Sequence, residues 1–254
     1  MPKFTCTTAL ITGASAGLGT AFARHLARPG SVLILTARRL DRLQALAAEL
    51  EKTGARMEPL AADLASEAGI RAVAEKITSL PELDLIINNA GYGIHGPFAG
   101  IPIEVQAGML RVHNEAPMRF THAALQGMLV RRHGAVINVA SISAFMGSSS
   151  GVMYAATKSF LVMFSASVNR GLKGTGVKVQ ALCPGFTHTE FHEPRPYMDM
   201  DIKRFPAILW TDARRVTAVS LKALDRGPVV VVPGILFKIA VILGRLGWPT
   251  VAER

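Results

Sequence analysis

The fold is decided by residues 7–19, TTALITGASAGLG, where an apolar run passes directly into a glycine-rich turn. The run Thr7–Thr12 is typical of a β-strand, and the residues after the turn follow a helical pattern through Arg28. Glycines permit a tight turn and let backbone N–H groups approach a pyrophosphate at a helix N-terminus, where the helix dipole favours anions. The spacing is G-x-x-x-G-x-G rather than the commoner G-x-G-x-x-G, and a simple tight connection is the alternative interpretation.

The same alternation of strand and helix continues along the chain. Further apolar runs predict strands at Ser31–Ala37, Arg56–Ala61, Leu83–Asn88, Ala135–Ala140, Val177–Leu182 and Pro228–Val232. Helical patterns lie between them, at Leu40–Lys52 and near 66–79, 102–132, 151–173 and 211–225. Strands that are apolar on both faces and alternate with helices predict one doubly wound, Rossmann-type α/β domain over residues 1–254, with a seven-stranded parallel sheet flanked by helices.

Composition excludes several classes of protein. Half of the 254 residues are apolar and 18% are charged, which is typical of a globular chain and not of a disordered one. Two cysteines, Cys6 and Cys183, cannot by themselves make a disulfide framework or a four-ligand zinc site, and they fit a reducing compartment. Because we find neither a secretory signal pattern nor a run of 18 apolar residues, we expect a cytoplasmic protein.

The chain is basic, and its charge favours anionic partners. It has 28 basic and 18 acidic side chains, a formal net charge of +10. Nucleic acid, a membrane surface and a phosphorylated cofactor are all compatible with such a field. No helix or loop concentrates the basic residues with stacking aromatics, so we expect no nucleic-acid binding.

Further motifs give the glycine turn a context, and each of them stands at the end of a predicted element or on a predicted helix. They are N-N-A-G at Asn88–Gly91, Asn114, Ser141, the Y-x-x-x-K pair Tyr154 and Lys158, and Pro184–Gly185 followed by Thr189. In this order and spacing the chain resembles the classical short-chain dehydrogenase/reductase family over roughly residues 5–232. The resemblance implies an oxidoreductase that transfers hydride between a nicotinamide cofactor and a carbonyl/alcohol pair.

The glycine turn and the resemblance together predict the residues that bind the cofactor. They are Gly13, Ser15, Gly17, Leu18 and Gly19 in the turn, Asp63 and Leu64 beside the adenine, Asn89, Ala90 and Gly91 along the nucleotide, and Tyr154, Lys158, Pro184, Gly185, Thr187 and Thr189. The family also implies that the lysine hydrogen-bonds the nicotinamide ribose.

The residues after the second strand predict which nicotinamide cofactor is used. Dinucleotide folds hold a free ribose 2′-hydroxyl with an acid at this point, but the sequence reads Thr36-Ala37-Arg38-Arg39, and the first acid is Asp41. Arginines can bind a 2′-phosphate with charge-assisted, bidentate hydrogen bonds. We therefore expect NADP(H), with Arg38 as the main contact and Arg39 second; solvated charges at a helix start are the alternative.

Tyr154 and Lys158 lie four residues apart and share one face of a helix. Reduction of a carbonyl needs a proton donor beside the oxygen while hydride arrives at the carbon. A neighbouring ammonium favours a phenolate, so we expect Lys158 to lower the pKa of Tyr154 by ~3 units from its usual value near 10. That shift brings the phenol closer to the operating pH, where acid–base catalysis is most efficient.

Two further residues complete the predicted catalytic set. Ser141, chosen by its register in the family's motif, is expected to donate its hydroxyl to the substrate oxygen. Ser143 points the same way on an extended strand end and is a candidate helper. Asn114 matches the family's helix-distorting asparagine, whose backbone carbonyl supports a water leading to the lysine; an asparagine at a local helix bend is compatible with that role.

Other chemistries receive less support. No G-x-S-x-G elbow surrounds Ser141, which disfavours a serine hydrolase. His188 and His192 lack the H-E-x-x-H order, so no metal site is expected. A catalytically silent NADP-binding regulator is the alternative from another class, and the intact serine, tyrosine and lysine argue against it. Within the family, a 3-oxoacyl-thioester reductase is the second alternative.

Two segments lie outside the regular pattern. Residues 186–210 contain three prolines and many large apolar side chains, and we expect an irregular lid over a hydrophobic carbonyl or alcohol of lipid, steroid or aromatic type. Residues 234–254 form an apolar tail, in which Lys238 and Arg245 share one helical face. Weak association of residues 234–247 with an anionic membrane surface, a cover over the pocket and a subunit interface all stay open.

The resemblance also implies a homodimer or homotetramer. The family assembles through the helices predicted at 102–132 and 151–173. Such helices need an apolar outer face, and we expect Leu161, Val162, Phe164 and Val168 to provide it.

Overall fold

Strands and helices alternate along the residues that the computed structural model describes, which are 4–192, 197 and 206–245. The strands are β1 (Thr8–Thr12), β2 (Val32–Ala37), β3 (Arg56–Ala61), β4 (Leu85–Asn88), β5 (Gly134–Val139), β6 (Val177–Leu182), β7 (Thr187–His188), β8 (Thr211–Asp212) and β9 (Val230–Val231). The helices are α1 (Gly17–Leu26), α2 (Leu40–Glu51), α3 (Glu67–Thr78), α4 (Ile103–Leu110), α5 (Ala116–Arg131), α6 (Val152–Gly171), α7 (Ala213–Arg226) and α8 (Ile235–Arg245).

Seven strands form one parallel sheet in the order β3-β2-β1-β4-β5-β6-β9. In the centre of the sheet, Ile11 lies opposite Leu35 on one side and Ile87 on the other. The chain proceeds outward from β1 in one direction and then returns to build β4 on its other side. This reversal of strand order opens a crevice at the carboxyl ends of β1 and β4, where parallel α/β sheets bind ligands. The predicted doubly wound seven-stranded sheet is confirmed.

Helices cover both faces of the sheet because its strands are apolar on both faces. Alternate residues of β1 point to opposite sides: Ile11 packs in the cluster that includes α1, α2 and α7, and Leu10 packs in the cluster that includes α3 and α5. Both side chains have no exposed surface. Burial of a side chain of this size contributes roughly 1.5–3 kcal/mol, and the two layers together fix the strand ends on which the site is built.

The helix predicted at 102–132 is interrupted. Helices α4 and α5 are joined by a π-helical turn over Arg111–Glu115. Pro117 follows it in the first turn of α5 and has no N–H to give to the carbonyl of His113, so the regular hydrogen-bond ladder cannot pass through this point. The turn buries Val112, His113 and Asn114. A continuous 3.6-residue period does not reveal such an insertion.

The lid predicted at 186–210 is irregular only in part. Thr187 near its start pairs with Thr211, directly after its end, in a short parallel sheet, so the expectation of a wholly irregular segment was wrong. The prolines Pro194 and Pro196 lie outside the described residues, as do 198–205. The tail beyond residue 245 and the side chains of His192 and Arg245 lie outside them as well.

Helix α8 packs one face against the end of the sheet. Phe237 and Val241 are buried in a cluster with Leu161 and Cys183. Leu161 is therefore part of the core, and its predicted place on an outer face was wrong; on α6 the exposed apolar side chains include Phe160 and Met163. None of the helices in the described ranges has the length and apolar character needed to cross a bilayer.

Candidate active site

The glycine turn is locked to the end of β4 by hydrogen bonds. The side-chain amide of Asn89 donates to the carbonyls of Thr12 and Gly13, at 2.9 and 3.1 Å. The Thr12 hydroxyl accepts the backbone N–H groups of Asn89 and Ala90, at 2.9 and 3.0 Å. Gly13 has a φ of +66°, and a Cβ there would lie 2.8 Å from the Asn89 amide nitrogen, so only glycine fits. The structure thus brings the two predicted nucleotide motifs together.

The start of α1 is suited to an anion. Its N-terminal residue, Ala16, provides no side-chain cap, and no acidic residue stands in the first turn. The first N–H groups of the helix are therefore without a side-chain partner, which is the arrangement that binds phosphate groups. A Cβ on Gly17 would meet Thr189 at 3.1 Å, so the predicted threonine lies directly over the turn. These residues fit the pyrophosphate of a dinucleotide cofactor.

Two arginines, Arg39 and Arg42, lie beside this turn, and Arg42 was not among the predicted cofactor residues. The Arg39 guanidinium donates to the Ser15 hydroxyl at 3.2 Å and pairs with Glu190 at 3.4 Å. Arg42 pairs with the same carboxylate at 2.7 Å. Arg42 follows Arg39 by three residues on the first turn of α2, and that helical spacing was the signal that could have identified it.

Arg38 and the predicted adenine residue Asp63 lie close enough to Tyr92 to shift its pKa. Both are exposed, and their charges act on Tyr92. Burial raises the pKa of Tyr92, the Arg38 guanidinium lowers it and the Asp63 carboxylate raises it. Leu64, the other predicted adenine contact, is buried in the core layer that contains α3.

Ser141, at the end of β5, acts on the phenol of Tyr154 and lowers its pKa. The hydroxyl oxygens of Ser141 and Ser143 lie 3.2 Å apart, and the Ser141 hydroxyl oxygen accepts the Ser143 N–H at 3.1 Å. The candidate helper therefore fixes the orientation of Ser141. Burial raises the pKa of Tyr154 to about 12, and the hydrogen bond from Ser141 lowers it by less than burial raises it.

Lys158 lies beneath the Tyr154 ring, with its ammonium nitrogen 5.6 Å from the ring centroid. Its ammonium donates to the carbonyl of Val139 at 2.8 Å, and the side chain is almost entirely buried. Burial lowers the pKa of Lys158 to about 8. The expectation that Lys158 brings the pKa of Tyr154 below its usual value is not met in this geometry, because burial raises the pKa of the phenol by more than the Ser141 hydroxyl lowers it.

The π-helical turn holds Asn114 against α6, the helix that contains Tyr154 and Lys158. Its side-chain amide donates to the carbonyl of Thr157 at 3.0 Å, and its Oδ1 has no hydrogen-bond partner among the described residues. The preceding residue, His113, is also buried and contacts the side chain of Thr157. Sequence reasoning missed both His113 and Thr157, since only their adjacency to Asn114 and Lys158 distinguishes them.

The remaining predicted cofactor residues line the end of β6. The Pro184 carbonyl accepts the N–H of Ile142 at 3.0 Å, which ties this loop to the segment after Ser141. A Cβ on Gly185 would overlap the ring of Phe237, so the glycine admits α8. Thr187 is buried and donates its hydroxyl to the Gly185 carbonyl at 3.0 Å.

Aromatic and aliphatic side chains surround the open side of Tyr154. Its ring lies 5.8 Å from that of Phe191, and it packs with Tyr92 and Met153 beside a cluster of Ile94, Ile101 and Met109. The rings of Phe186 and Trp210 lie with their centroids 5.4 Å apart. The nearby polar pair is His95 and Ser150, whose side chains are 2.8 Å apart.

His188 packs against an aromatic ring. Its ring stacks on Trp210, with centroids 4.9 Å apart. Within the described residues, no group of three or more His, Cys, Asp or Glu side chains is arranged to hold a metal ion.

A family model described as "short chain dehydrogenase" matches residues 7–198. The chain is 35% identical over 192 residues to an NADP-dependent 3-hydroxy acid dehydrogenase of Escherichia coli, an alignment that covers 73% of this chain and 75% of the relative. The match to the family model spans the glycine turn, the N-N-A-G segment and the tyrosine and lysine.

Solved structures share the whole architecture. A short-chain dehydrogenase from Sphingobium yanoikuyae, in complex with NADPH, superposes with a TM-score of 0.83 at 29% identity, covering 97% of this chain and 98% of that one. A bulky-bulky ketone specific alcohol dehydrogenase from Comamonas testosteroni superposes with a TM-score of 0.80 at 27% identity, covering 95% of this chain and 92% of that one.

Proposed function

This chain belongs to the short-chain dehydrogenase family, and we propose that it is an NADP(H)-dependent oxidoreductase that interconverts hydrophobic ketones or aldehydes and the corresponding alcohols. One observation carries the proposal. The phenol of Tyr154, on which the Ser141 hydroxyl acts and which packs over the Lys158 ammonium, lies at the same edge of the sheet as the glycine turn. A proton donor and a dinucleotide cradle therefore meet at one crevice.

Three arginines support the use of NADP(H) rather than NAD(H). Arg38, Arg39 and Arg42 stand at the start of α2, where dinucleotide folds hold the adenosine ribose. Guanidinium groups bind a 2′-phosphate with charge-assisted hydrogen bonds, whereas a free ribose offers these cations no charged partner. The bound cofactor supplies the hydride, and the chain binds and orients it.

Proton transfer is the part of the reaction that belongs to Tyr154. Because its pKa is raised to about 12, the phenol is protonated at neutral pH and can donate to the oxygen of a carbonyl that receives hydride. The Ser141 hydroxyl, held by Ser143, lies beside the same oxygen position and can stabilise the negative charge that develops there. The Lys158 ammonium beneath the ring stabilises the phenolate left behind.

The surroundings of Tyr154 favour a hydrophobic substrate. The Phe191 ring lies 5.8 Å from the phenol ring, Met153 packs with Tyr154 against the apolar cluster that contains Ile94, and burial is the largest cause of the raised pKa of Tyr154. A ketone with apolar substituents would bury both of them in this environment, and that burial favours binding.

The proposal is tested by following oxidation of NADPH with a panel of ketones and aldehydes of increasing apolar size. We expect turnover that rises from small polar carbonyls to bulky aryl or alicyclic ketones, and a lower KM for NADPH than for NADH. Absence of NADPH oxidation across the panel, with NADPH still bound, would instead favour the silent regulator. A preference for acyl-thioesters would favour the 3-oxoacyl-thioester reductase.

We further propose that the chain forms a homodimer or homotetramer through α5 and α6. Phe160 and Met163 on α6 and Val130 on α5 are exposed, at 41, 68 and 84% of their surface. The Phe160 ring stacks on Phe164 at 5.6 Å, which gives α6 a continuous apolar face. Light scattering should give the mass of two or four chains, and Met163→Glu should shift it to that of one.

A further inference from the structure

A buried imidazole links the loop after N-N-A-G to the helix that carries Tyr154. The backbone N–H of Tyr92 donates to Nε2 of His113 at 3.0 Å. On the opposite side of the ring, Nδ1 of His113 lies 3.0 Å from the hydroxyl oxygen of Thr157. His113 is 1% exposed, and so is Thr157. The two contacts join parts of the chain that the family motifs treat as separate.

These contacts fix the tautomer of His113. Nε2 accepts a hydrogen bond and so carries no proton, which leaves the proton on Nδ1. The Thr157 hydroxyl donates to the carbonyl of Tyr154 at 2.9 Å, so its oxygen is free to accept from Nδ1. The chain of donors therefore runs in one direction, from the Tyr92 amide through His113 and Thr157 to the backbone of Tyr154.

The surroundings hold the imidazole in its neutral form. Burial lowers the pKa of His113 well below its usual value, and the Lys158 ammonium lowers it further. The approach of the ring also requires Gly91, since a Cβ there would lie 2.9 Å from Nε2. The last glycine of N-N-A-G thus has a second role in this chain, which is to admit the histidine.

His113 and Asn114 hold the same residue of α6 from two sides. His113 binds the Thr157 hydroxyl, and Asn114 binds the Thr157 carbonyl at 3.0 Å. Both come from the π-helical turn, a feature often found at functional sites. The ring of His113 also contacts the Tyr154 ring edge-on, with centroids 5.9 Å apart.

We propose that His113, acting through Thr157, is a positioning residue that sets the Tyr154 phenol against Ser141 and the substrate oxygen. The inference rests on the proposed function, because it assigns His113 to the same site. His113 does not touch the reacting atoms. It fixes the helix turn that carries the phenol, and so a loss of its bond to Thr157 is expected to lower kcat rather than to weaken cofactor binding.

The test starts with Thr157→Val and its matched control Thr157→Ser. Valine keeps the volume of the side chain and removes the hydroxyl, whereas serine keeps the hydroxyl. We expect Thr157→Val to lower kcat about tenfold with the KM for NADPH within about twofold of the wild type, and Thr157→Ser to stay within about threefold in both. Equal kcat values for the two variants would overturn the proposal.

Two substitutions of His113 separate its contacts. The amide group of asparagine lies near the position of Nδ1 and keeps the bond to Thr157, whereas that of glutamine lies near Nε2 and keeps only the bond to Tyr92. We expect His113→Gln to lose about tenfold in kcat and His113→Asn to lose less than about threefold. The double variant His113→Gln, Thr157→Val should be no slower than either single variant, because both remove one interaction. Independent, multiplying losses would contradict the link.

A spectroscopic measurement distinguishes a failure of this inference from a failure of the proposed function. In protein with labelled tyrosines, Thr157→Val should shift the ring signal of Tyr154 at neutral pH and leave that of Tyr197 in place, while Thr157→Ser should move neither. If the wild type reduces no carbonyl, the proposed function fails, and the Tyr154 signal still decides the positioning role. An unchanged Tyr154 signal in Thr157→Val would reject it.

Discussion

The nucleotide side and the substrate side of the crevice are held by different forces. On the nucleotide side, Asn89 and Thr12 tie the glycine turn to β4 through hydrogen bonds of 2.9 to 3.1 Å between side chains and backbone groups. On the substrate side, the described contacts around Tyr154 and Trp210 are mainly between rings, with centroids 4.9 to 5.9 Å apart. Hydrogen bonds fix geometry closely, whereas ring packing tolerates adjustment. We therefore expect a rigid cofactor site and an adaptable substrate site.

The largest expected effect is at the glycine turn. In Gly19→Ala, the added Cβ would overlap the carbonyl of Gly13 and displace the turn from Asn89. We expect the Kd for NADPH to rise by about a hundredfold or more, since the helix N-terminus would no longer meet the pyrophosphate. Fluorescence titration with NADPH measures it.

Gly171→Ala is the matched control. Gly171 is the last residue of α6 and has no neighbouring atom in the way of a Cβ. NADPH binding should be unchanged and stability equal or slightly higher, because alanine favours the helix. Equal Kd values for NADPH in Gly19→Ala and Gly171→Ala would contradict the expectation that the cofactor site is rigid.

Lys158 lies between the two sides, and its burial has a consequence for stability. The unfolded chain binds the lysine proton up to the ordinary pKa near 10.5, but the folded protein releases it near pH 8. Between these values the unfolded state binds more protons, so stability rises with pH, and this residue contributes about 2 kcal/mol between pH 8 and pH 10.

The test compares how the free energy of unfolding changes with pH in two proteins. Burial raises the pKa of the Cys6 thiol to about 12, and this group acts in the opposite direction above pH 9. Urea unfolding of the wild type and of Lys158→Met at pH 8 and pH 10 removes the contribution of Cys6, because both proteins share it. Identical pH dependence in the two proteins would show that the ammonium is not buried.

Substitutions of Arg38 and Arg39 test which of these arginines binds the 2′-phosphate of the cofactor. We expect alanine at either position to raise the KM for NADPH about tenfold, with the larger effect at Arg38, and to leave the KM for NADH within about twofold. Arg56→Ala is a control, since Arg56 is exposed on β3 and pairs with Glu58. A parallel rise of both KM values would mean that the arginines only support the fold.

Trp210 tests the substrate side and has the smallest expected effect. Trp210→Phe keeps a ring against Phe186 and His188 but removes part of its area. We expect KM values for bulky ketones to change about threefold, with ketone preference altered and the Kd for NADPH unchanged. If NADPH binding changed as much as ketone binding, the two sides would not be independent.

The sequence predicted the nucleotide side better than the substrate side, and the reason is physical. Backbone geometry requires glycines such as Gly13 and polar residues such as Asn89 at single positions. The sequence immediately around each position is therefore enough to predict them. The strand runs were also local, and β3 and β6 have the predicted bounds. The π-helical turn depends on Pro117 and on packing against α6, and a helical period cannot represent it.

The electrostatics of the site could not be predicted from spacing alone. The four-residue step from Tyr154 to Lys158 predicted that they share a face, and it led to an expected fall in the pKa of Tyr154. The pKa of Tyr154 is raised instead, because the phenol is buried. Burial depends on the tertiary structure, as does the hydrogen bond from Lys158 to the carbonyl of Val139. The link through His113 has the same origin, since its partners Tyr92 and Thr157 are distant in the chain.

The most direct test of the account is the Tyr154→Phe variant, assayed for reduction of the best ketone and for binding of NADPH. Removal of the phenol hydroxyl takes away the proton donor and leaves the ring over Lys158. The account predicts that kcat falls by about a hundredfold or more while the Kd for NADPH stays within about twofold. A variant that keeps more than about a third of the wild-type rate would contradict the assignment of Tyr154 as the proton donor.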